Sequence, residues 1–203
     1  MEEPDWLLYG DLTQDGRSEI VDTYGENGIQ YPRRGFEALS RSVPTLRQQF
    51  LNFHQFASSS LAGMFSKEAL AKAFMLRATT ATSGVWINQG NYQFNYQPLP
   101  VLAQASPIMD VAAADLNRDG RIDLILAQND YSIQPMHGRM DGGLGLILLG
   151  GDSLQFKVAS PELTGLIMEG DTRFVEVMDL NGDQKKDLLM GGPNRPIKAF
   201  LRQ

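Results

Sequence analysis

The stretch Asp115-Leu-Asn-Arg-Asp-Gly-Arg-Ile-Asp123 determines how the rest of the chain is interpreted. Oxygen-bearing side chains occupy its positions 1, 3, 5 and 9, and glycine occupies position 6. Two further segments have oxygen-bearing side chains at the same four positions, Asp11-Leu-Thr-Gln-Asp-Gly-Arg-Ser-Glu19 and Asp179-Leu-Asn-Gly-Asp-Gln-Lys-Lys-Asp187. In chain order we name them loop 1 (11–19), loop 2 (115–123) and loop 3 (179–187). Such internal self-similarity indicates a repeat architecture.

The spacing of the loops defines the size of the repeat. Loops 2 and 3 begin 64 residues apart, whereas loops 1 and 2 begin 104 residues apart, which indicates an insertion between the first two. A strand-turn-strand pattern also recurs, at 85–94 and 146–156, and its closing residues Phe94 and Phe156 lie 62 residues apart. Two independent features with nearly one period predict a repeated unit of roughly 60 residues.

Short apolar runs flank each acidic loop. Val111-Ala-Ala-Ala114 precedes loop 2 and Leu124-Ile-Leu126 follows it, lengths that favour strands over helices. One unit is therefore predicted as strand, acidic loop, strand, longer connection, strand, turn and strand, which is typical of a propeller blade. The predicted fold is mainly β: a partial β-propeller of about three four-stranded antiparallel blades with a short α-helical insertion.

The insertion is expected to form two or three short helices at the propeller edge. Its segment Ser66-Lys-Glu-Ala-Leu-Ala-Lys-Ala73 is rich in helix formers, with Ser66 as a suitable N-cap and Glu68 in the first turn. The predicted organisation is a single repeat domain over 1–203, divided into the start of a first blade unit (1–34), a helical insertion (35–75), a second blade unit (76–143) and a third blade unit (144–203).

The residue types in the loops are those that calcium prefers. Ca²⁺ takes six to eight oxygen ligands, and a tight loop turns alternate side chains towards one ion while position 7 contributes its backbone carbonyl. The predicted ligands are Asp115, Asn117, Asp119, Arg121 and Asp123 in loop 2, Asp179, Asn181, Asp183, Lys185 and Asp187 in loop 3, and Asp11, Thr13, Asp15, Arg17 and Glu19 in loop 1. Magnesium fits less well because it retains its waters. The alternative is that these residues only form turns between strands.

The three loops are not equivalent. Loop 2 has the full set of ligands together with Gly120, whereas loop 3 has Gln184 where the turn favours glycine. Loop 1 offers the neutral Thr13 at position 3 and the longer Glu19 at position 9. A helix-loop-helix calcium motif is excluded, because its Glu at position 12 is missing and the flanking segments are predicted strands.

The composition narrows the range of partners. The chain has 24 acidic and 18 basic residues, a formal net charge of −6, which disfavours nucleic acid and anionic membranes as partners. It has no cysteine and no apolar stretch long enough for a membrane span. The first residues, Met1-Glu-Glu-Pro-Asp5, are acidic where a signal peptide requires a basic and then an apolar segment. The chain is thus either cytosolic or a piece of a longer exported protein.

No catalytic constellation is apparent. His54 and His137 lie in different segments, and neither a nucleophile elbow, a zinc-protease motif nor a phosphate-binding loop occurs. The acidic residues could form a glycosidase pair, but a catalytic pair has no reason to recur three times. We therefore predict that the protein is not an enzyme, with a glycoside-active fragment as the remaining enzymatic alternative.

The acidic loops resemble those of the FG-GAP/VCBS repeats, whose blades form the integrin-α-like propeller. The segments Arg41-Ser-Val-Pro-Thr-Leu-Arg-Gln-Gln-Phe50, Phe65–Ala73 and Gly138–Gly145 are similar to a bacterial branch of VCBS-repeat proteins. The literal Phe-Gly and Gly-Ala-Pro signatures are absent, with Gly191-Gly-Pro193 as a remnant. The resemblance implies Ca²⁺ as cofactor, a secreted or cell-surface location, and a chain that is the C-terminal part of a larger exported protein.

Two function classes follow for such a module. In the first, the loop Gln128–Met140 and the insertion recognise a protein or glycan, with Tyr92, Tyr96 and Tyr131 as candidate sugar-binding aromatics or as core residues. In the second, calcium rigidifies a purely structural unit. Because three blades are fewer than a closed propeller needs, self-association through open blade edges, or completion of the ring by further sequence, is also expected.

Overall fold

The structure, a computed structural model, describes residues 5–133, 138–152 and 155–202. The chain divides into two compact units, with the boundary between Ala81 and Thr82. The described residues are mainly strand, arranged in antiparallel sheets. The mainly β prediction is therefore confirmed, and each unit is built differently around its acidic loops.

The first unit contains a four-stranded antiparallel sheet in the order β3-β2-β1-β4, which we name the first sheet. Its strands are β1 (Asp5–Gly10), β2 (Glu19–Glu26), β3 (Ile29–Pro32) and β4 (Phe74–Ala78). Loop 1 joins β1 to β2, and β4 pairs with β1 so that Phe74 lies opposite Tyr9. The predicted boundary at residue 76 thus falls inside a strand of the first sheet rather than at the start of a second blade unit.

Five short helices connect β3 to β4. They are α1 (Phe36–Ser42), α2 (Leu46–Gln49), α3 (Phe53–Ala57), α4 (Leu61–Met64) and α5 (Lys67–Lys72). The predicted helical segment is confirmed, including the N-cap Ser66, whose hydroxyl accepts a hydrogen bond from the Ala69 N–H at 3.1 Å. The helices number five instead of two or three, and they cover a face of the sheet instead of an edge. The reason is that Leu8 and Val21 on that face need apolar cover, which the helices supply.

The second unit begins with a two-stranded hairpin of β5 (Gly84–Gly90) and β6 (Gln93–Pro98). The predicted strand-turn-strand pattern at 85–94 is therefore present. Asn91 and Tyr92 in the turn both have positive φ, 48° and 59°, as a tight hairpin turn requires. A short 3-10 helix, Val101–Gln104, leads from the hairpin to the next sheet.

Two further sheets complete the second unit. The second sheet has the order β7-β8-β9-β10 and the third sheet has the order β11-β12-β13. Their strands are β7 (Ile108–Ala114), β8 (Asp123–Gln128), β9 (Leu146–Gly150), β10 (Phe156–Val158), β11 (Phe174–Met178), β12 (Asp187–Gly191) and β13 (Lys198–Phe200), and α6 (Pro161–Thr164) lies between β10 and β11. The second sheet has the predicted strand order of one unit, but it runs from β7 to β10 and so crosses the predicted boundary between residues 143 and 144. The third sheet has three strands within the described residues.

Strand β8 is buried along its whole length. Leu124 and Leu126 point into one apolar core, shared with the 3-10 helix and β9, and Ile125 and Ala127 point into another, shared with β11 and β12. This two-sided burial explains the uninterrupted apolar run Leu124-Ile-Leu-Ala127. Because loop 2 ends at the first residue of β8, it is attached directly to this fully buried strand.

Candidate functional site

The carboxylate at position 1 organises each acidic loop. In loop 2, Asp115 Oδ1 accepts hydrogen bonds from the backbone N–H groups of Arg118 and Asp119, at 2.7 and 3.2 Å, and Oδ2 accepts one from Gly120 at 2.9 Å. Asp179 repeats this pattern in loop 3, with the N–H groups of Gly182, Asp183 and Gln184 at 2.6, 3.2 and 2.8 Å. Asp11 in loop 1 accepts from Asp15 and Gly16, at 3.0 and 2.9 Å.

Positions 3 and 5 converge on the same place in loops 2 and 3. The Asp119 N–H donates both to Asp115 Oδ1 and to Asn117 Oδ1, the latter at 3.0 Å, so that these two side-chain oxygens share one donor. The Asn117 amide in turn donates to Asp119 Oδ2 at 3.0 Å. In loop 3 the Asp183 N–H makes the equivalent bond to Asn181 Oδ1, also at 3.0 Å. In loops 2 and 3 the side-chain oxygens of positions 1 and 3 are therefore brought together around the position-5 N–H.

The position-5 carboxylates are charged at neutral pH. The Arg121 N–H donates to Asp119 Oδ1 at 2.9 Å and, with the Asn117 amide, holds the pKa of Asp119 below its ordinary value. The Lys185 N–H, at 2.8 Å, is the main cause that lowers the pKa of Asp183. Loops 2 and 3 thus each present a negative charge beside neutral oxygen donors.

Position 9 has a role that the sequence did not reveal. Asp123 and Asp187 are fully buried. The N–H of Leu116 donates to Asp123 Oδ2 at 2.8 Å, and that of Gly150 in β9 donates to Oδ1 at 2.9 Å. Asp187 likewise accepts from the N–H groups of Leu180 and Arg202, at 2.9 and 2.8 Å. These two carboxylates fasten their loops to neighbouring chain segments in the sheet.

Loop 1 departs from the other two loops. Glu19 Oε2 accepts from the Leu12 N–H at 2.8 Å, as position 9 does elsewhere, but its Oε1 accepts from the Thr13 hydroxyl at 3.0 Å. The position-3 side chain is therefore engaged with position 9 within the loop. The Arg17 N–H still donates to Asp15 Oδ1 at 2.9 Å, so the position-5 to position-7 contact is kept in all three loops.

The backbone of every loop passes through the left-handed region at positions 4 and 6. The φ angles are 61° and 86° in loop 1, 64° and 82° in loop 2, and 81° and 63° in loop 3. At position 6, Gly16 and Gly120 adopt this conformation without strain, whereas Gln184 adopts it at a cost in conformational free energy. The common backbone shows that the three segments are copies of one structural element.

The donor set fits a hard cation, although it is not assembled in advance. Among the described residues, no group of three or more Asp, Glu, His or Cys side chains lies close enough together to hold a metal ion. In loop 2 two carboxylates and one amide meet, and their oxygens also accept N–H bonds. Carboxylate oxygens have two lone pairs each, so Asp115 Oδ2 and both oxygens of Asp123, with one N–H each, keep capacity for a further partner.

A second group of candidate residues lies on the β5–β6 hairpin. Trp86 and Phe94 project from one face with 65% and 56% of their surface exposed, and Tyr92 at the turn is 100% exposed. Tyr96 packs against Trp86, with ring centroids 5.0 Å apart, and its hydroxyl bonds to Thr82. The tyrosines were predicted as candidates but Trp86 and Phe94 were not, although the alternation along the two strands places them on the same face.

The loop predicted as a recognition surface, Gln128–Met140, begins in the interior. Gln128 and Asn129 are buried, and the Asn129 amide donates to the carbonyl oxygens of Gly143 and Gly170 at 2.8 and 2.9 Å. The exposed-loop prediction is therefore wrong for these two residues, because Asn129 serves as an internal bridge. His137 lies outside the described residues. His54, in α3, is exposed.

Tyr131 packs against two guanidinium groups. The Arg139 and Arg195 guanidinium carbons are 4.9 and 5.8 Å from its ring centroid. This ring therefore already makes cation–π contacts within the protein.

Within the part of the chain that the structure describes, no helix has the length and apolar character needed to cross a membrane.

In comparison with known families, residues 75–126 match a family that is described as an FG-GAP-like repeat. The matched stretch runs from β4 through the hairpin and β7 to β8 and includes the whole of loop 2. This part of the chain is therefore similar to an FG-GAP-like repeat, in agreement with the resemblance noted for its acidic loop. No curated protein matches the chain.

Proposed function

We propose that this chain is a calcium-binding repeat module of an extracellular protein, in which the sheets are blades of a partial β-propeller. The observation that carries the proposal is the repetition of one hydrogen-bond pattern in loops 2 and 3, 64 residues apart, around oxygens at positions 1, 3 and 5. The similarity of residues 75–126 to an FG-GAP-like repeat supports the same function, because such repeats are typical of extracellular proteins.

In loop 2 the ion would be held by side-chain oxygens of Asp115, Asn117, Asp119 and Asp123 and by the backbone carbonyl of Arg121. Bound calcium neutralises the carboxylates, which otherwise repel one another. The corresponding residues of loop 3, from Asp179 to Asp187, form the second site. Loop 1 is the weakest of the three because its Thr13 hydroxyl donates to Glu19 and supplies no charge.

Recognition of a protein or glycan is the activity that we assign to the module. Trp86, Tyr92 and Phe94 support it, since exposed aromatic side chains are enriched where proteins bind partners. The alternative is a purely structural unit that calcium rigidifies, and neither role involves catalysis.

Thermal unfolding with and without calcium tests the metal site. With ~1 mM calcium and a dissociation constant near ~10 μM, binding stabilises the folded state by about 2.7 kcal/mol. The melting temperature is therefore expected to be several degrees higher in calcium than in EDTA. Asp119→Ala should remove most of this difference, whereas Asp15→Ala, the matched change in loop 1, should remove less. Equal melting temperatures in calcium and EDTA for the unaltered protein would contradict the proposal.

Binding to a glycan array distinguishes recognition from a purely structural role. A recognition module is expected to bind a defined set of glycans, and Trp86→Ala should reduce the signal, with Val101→Ala as an exposed apolar control in the same unit. The absence of any glycan or protein partner favours the structural alternative.

Self-association is the remaining element of the proposal. The face of the first sheet opposite its core exposes Tyr9, Ile20, Phe74 and Leu76, each by about half or more of its surface. Light scattering at micromolar concentration should detect dimers or larger species, and a monomer at all concentrations would contradict this part.

A further inference from the structure

In loops 1 and 2 the side chain at position 4 leaves the loop and contacts a neighbouring element. The left-handed backbone at this position directs the side chain away from the loop oxygens. In loop 1, Gln14 Nε2 donates to the hydroxyl of Ser66, the N-cap of α5, at 2.8 Å. In loop 2, Arg118 Nη2 donates to the backbone carbonyl oxygen of Gln184 in loop 3 at 3.0 Å. Loop 3 has Gly182 here and therefore makes no such side-chain contact.

The carbonyl that Arg118 contacts belongs to a peptide group with a second task. The same peptide unit contributes the Lys185 N–H, which donates to Asp183 Oδ1 at 2.8 Å. Arg118 thus holds one end of this peptide while the position-5 carboxylate of loop 3 accepts from the other end. Hydrogen bonds arranged in series polarise and strengthen one another. A residue of loop 2 is therefore bonded to the peptide group that also contacts the predicted ligand Asp183 in loop 3.

The strands beneath the two loops keep them at a fixed separation. The Val175 N–H in β11 donates to Asp110 Oδ2 in β7 at 2.9 Å, and both sheets contribute to the core that contains Ile125 and Met190. The Arg118 contact consequently joins two loops that are carried on adjacent, packed strands of one unit.

We propose that Arg118 is a positioning residue that couples the second and third acidic loops, so that loop 3 reaches its ligand-binding conformation only when loop 2 supports it. Loop 1 has a separate support in Ser66. The proposal rests on the proposed function in so far as Asp183 is a calcium ligand. The support of the Gln184–Lys185 peptide by Arg118 exists without any metal.

The direction in which Arg118→Ala changes calcium affinity at loop 3 distinguishes this coupling from a simple charge effect. Arg118 is a positive charge beside an acidic loop, so Coulomb's law alone predicts that Arg118→Ala strengthens calcium binding at loop 3. Loss of a supporting hydrogen bond predicts the opposite. Arg118→Lys keeps the charge and a donor, and Gln14→Ala removes the equivalent contact of loop 1 while leaving loop 3 untouched.

Amide hydrogen exchange followed by NMR tests the coupling in the metal-free protein. In EDTA, Arg118→Ala should exchange the Lys185 N–H roughly two- to tenfold faster, the range expected for one lost hydrogen bond, while Gln14→Ala leaves it unchanged. Arg118→Lys should fall in between. An unchanged Lys185 exchange rate in Arg118→Ala overturns the proposal.

Calcium titration of the same variants, followed through the Lys185 amide resonance, provides the second readout. Binding at loop 3 should be roughly two- to tenfold weaker in Arg118→Ala. Tighter binding would overturn the coupling in favour of the charge effect. If the unaltered protein shows no calcium response, the proposed function fails, while the exchange result still decides whether Arg118 supports loop 3.

Discussion

Loops 1 and 2 share a nine-residue pattern and a backbone conformation, yet they are supported differently. Loop 2 is fastened from outside by the Gly150 N–H on Asp123 and by Asp152, whose carboxylate accepts from Arg121 at 2.7 Å. Loop 1 lacks these two contacts among the described residues, and Glu19 uses both oxygens within the loop. The loop sequence therefore specifies the internal hydrogen bonds, and the neighbouring element determines how firmly the loop is held.

Removal of the position-9 carboxylate should produce the largest difference in unfolding free energy between loops 1 and 2. Asp123→Ala leaves the N–H groups of Leu116 and Gly150 without an acceptor, and the expected loss is about 2–4 kcal/mol of unfolding free energy. Glu19→Ala removes one backbone acceptor, that of Leu12, and should cost about 1–2 kcal/mol. Urea unfolding measures both effects.

The two tryptophans of the chain make this measurement specific. Trp6 lies in the first unit and Trp86 in the second, so Trp6→Phe and Trp86→Phe backgrounds let fluorescence report on one unit at a time. Asp123→Ala is measured in the second unit and Glu19→Ala in the first. If both variants lost the same unfolding free energy, the external contacts of loop 2 would not contribute to stability.

Glycine substitutions beside loop 2 and within loop 1 should differ in stability by a smaller amount. A Cβ added to Gly150 would lie 2.2 Å from the carbonyl oxygen of Ile122, a backbone atom that cannot move aside. Gly150→Ala should therefore destabilise the second unit by about 1–3 kcal/mol. A Cβ at Gly16 in loop 1 meets nothing within 4 Å, so only its φ of 86° opposes Gly16→Ala, at about 1 kcal/mol. Thermal denaturation that ranked Gly16→Ala as the more damaging would contradict this account.

The parts of the fold that depend on local sequence could be predicted, and those that depend on distant partners could not. Loop 2 and its flanking strands, the hairpin at 85–94 and the N-cap Ser66 each have a signal within about ten residues. The pairing of Phe74 with Tyr9 joins segments separated by five helices, and no periodicity in either segment specifies it. The first sheet was therefore predicted without β4.

The candidate site shows the same division. The shared backbone N–H bonds of positions 1 and 3 follow from the tight loop, whose pattern the sequence contains. The role of Asp123 depends on the Gly150 N–H, a backbone group of a strand 27 residues away that any residue type could supply. For the same reason the contact from Arg118 to the Gln184 carbonyl was beyond the reach of sequence analysis, since backbone acceptors carry no residue identity.

The smallest expected effect concerns position 6 of loops 2 and 3. Gln184→Gly removes the cost of a left-handed conformation, φ 63°, and should stabilise loop 3 by at most about 1 kcal/mol after the added flexibility of the unfolded chain is subtracted. Gly120→Gln in loop 2 should destabilise by a similar amount. A double variant that exchanges the two residues should have nearly the melting temperature of the unaltered protein, and a shift of more than a few degrees would mean that the two loops are not equivalent at this position.

The burial of β8 on both faces has a consequence for how the second unit comes apart. Leu126 and Ala127 are completely inaccessible and face different cores, the first shared with the 3-10 helix and β9 and the second with β11 and β12. In such an arrangement the stability of each sheet depends on its own contacts and on the interfaces with its direct neighbours. Under mechanical load the unit should therefore yield from its outer sheets inward, with β8 as the last element to separate.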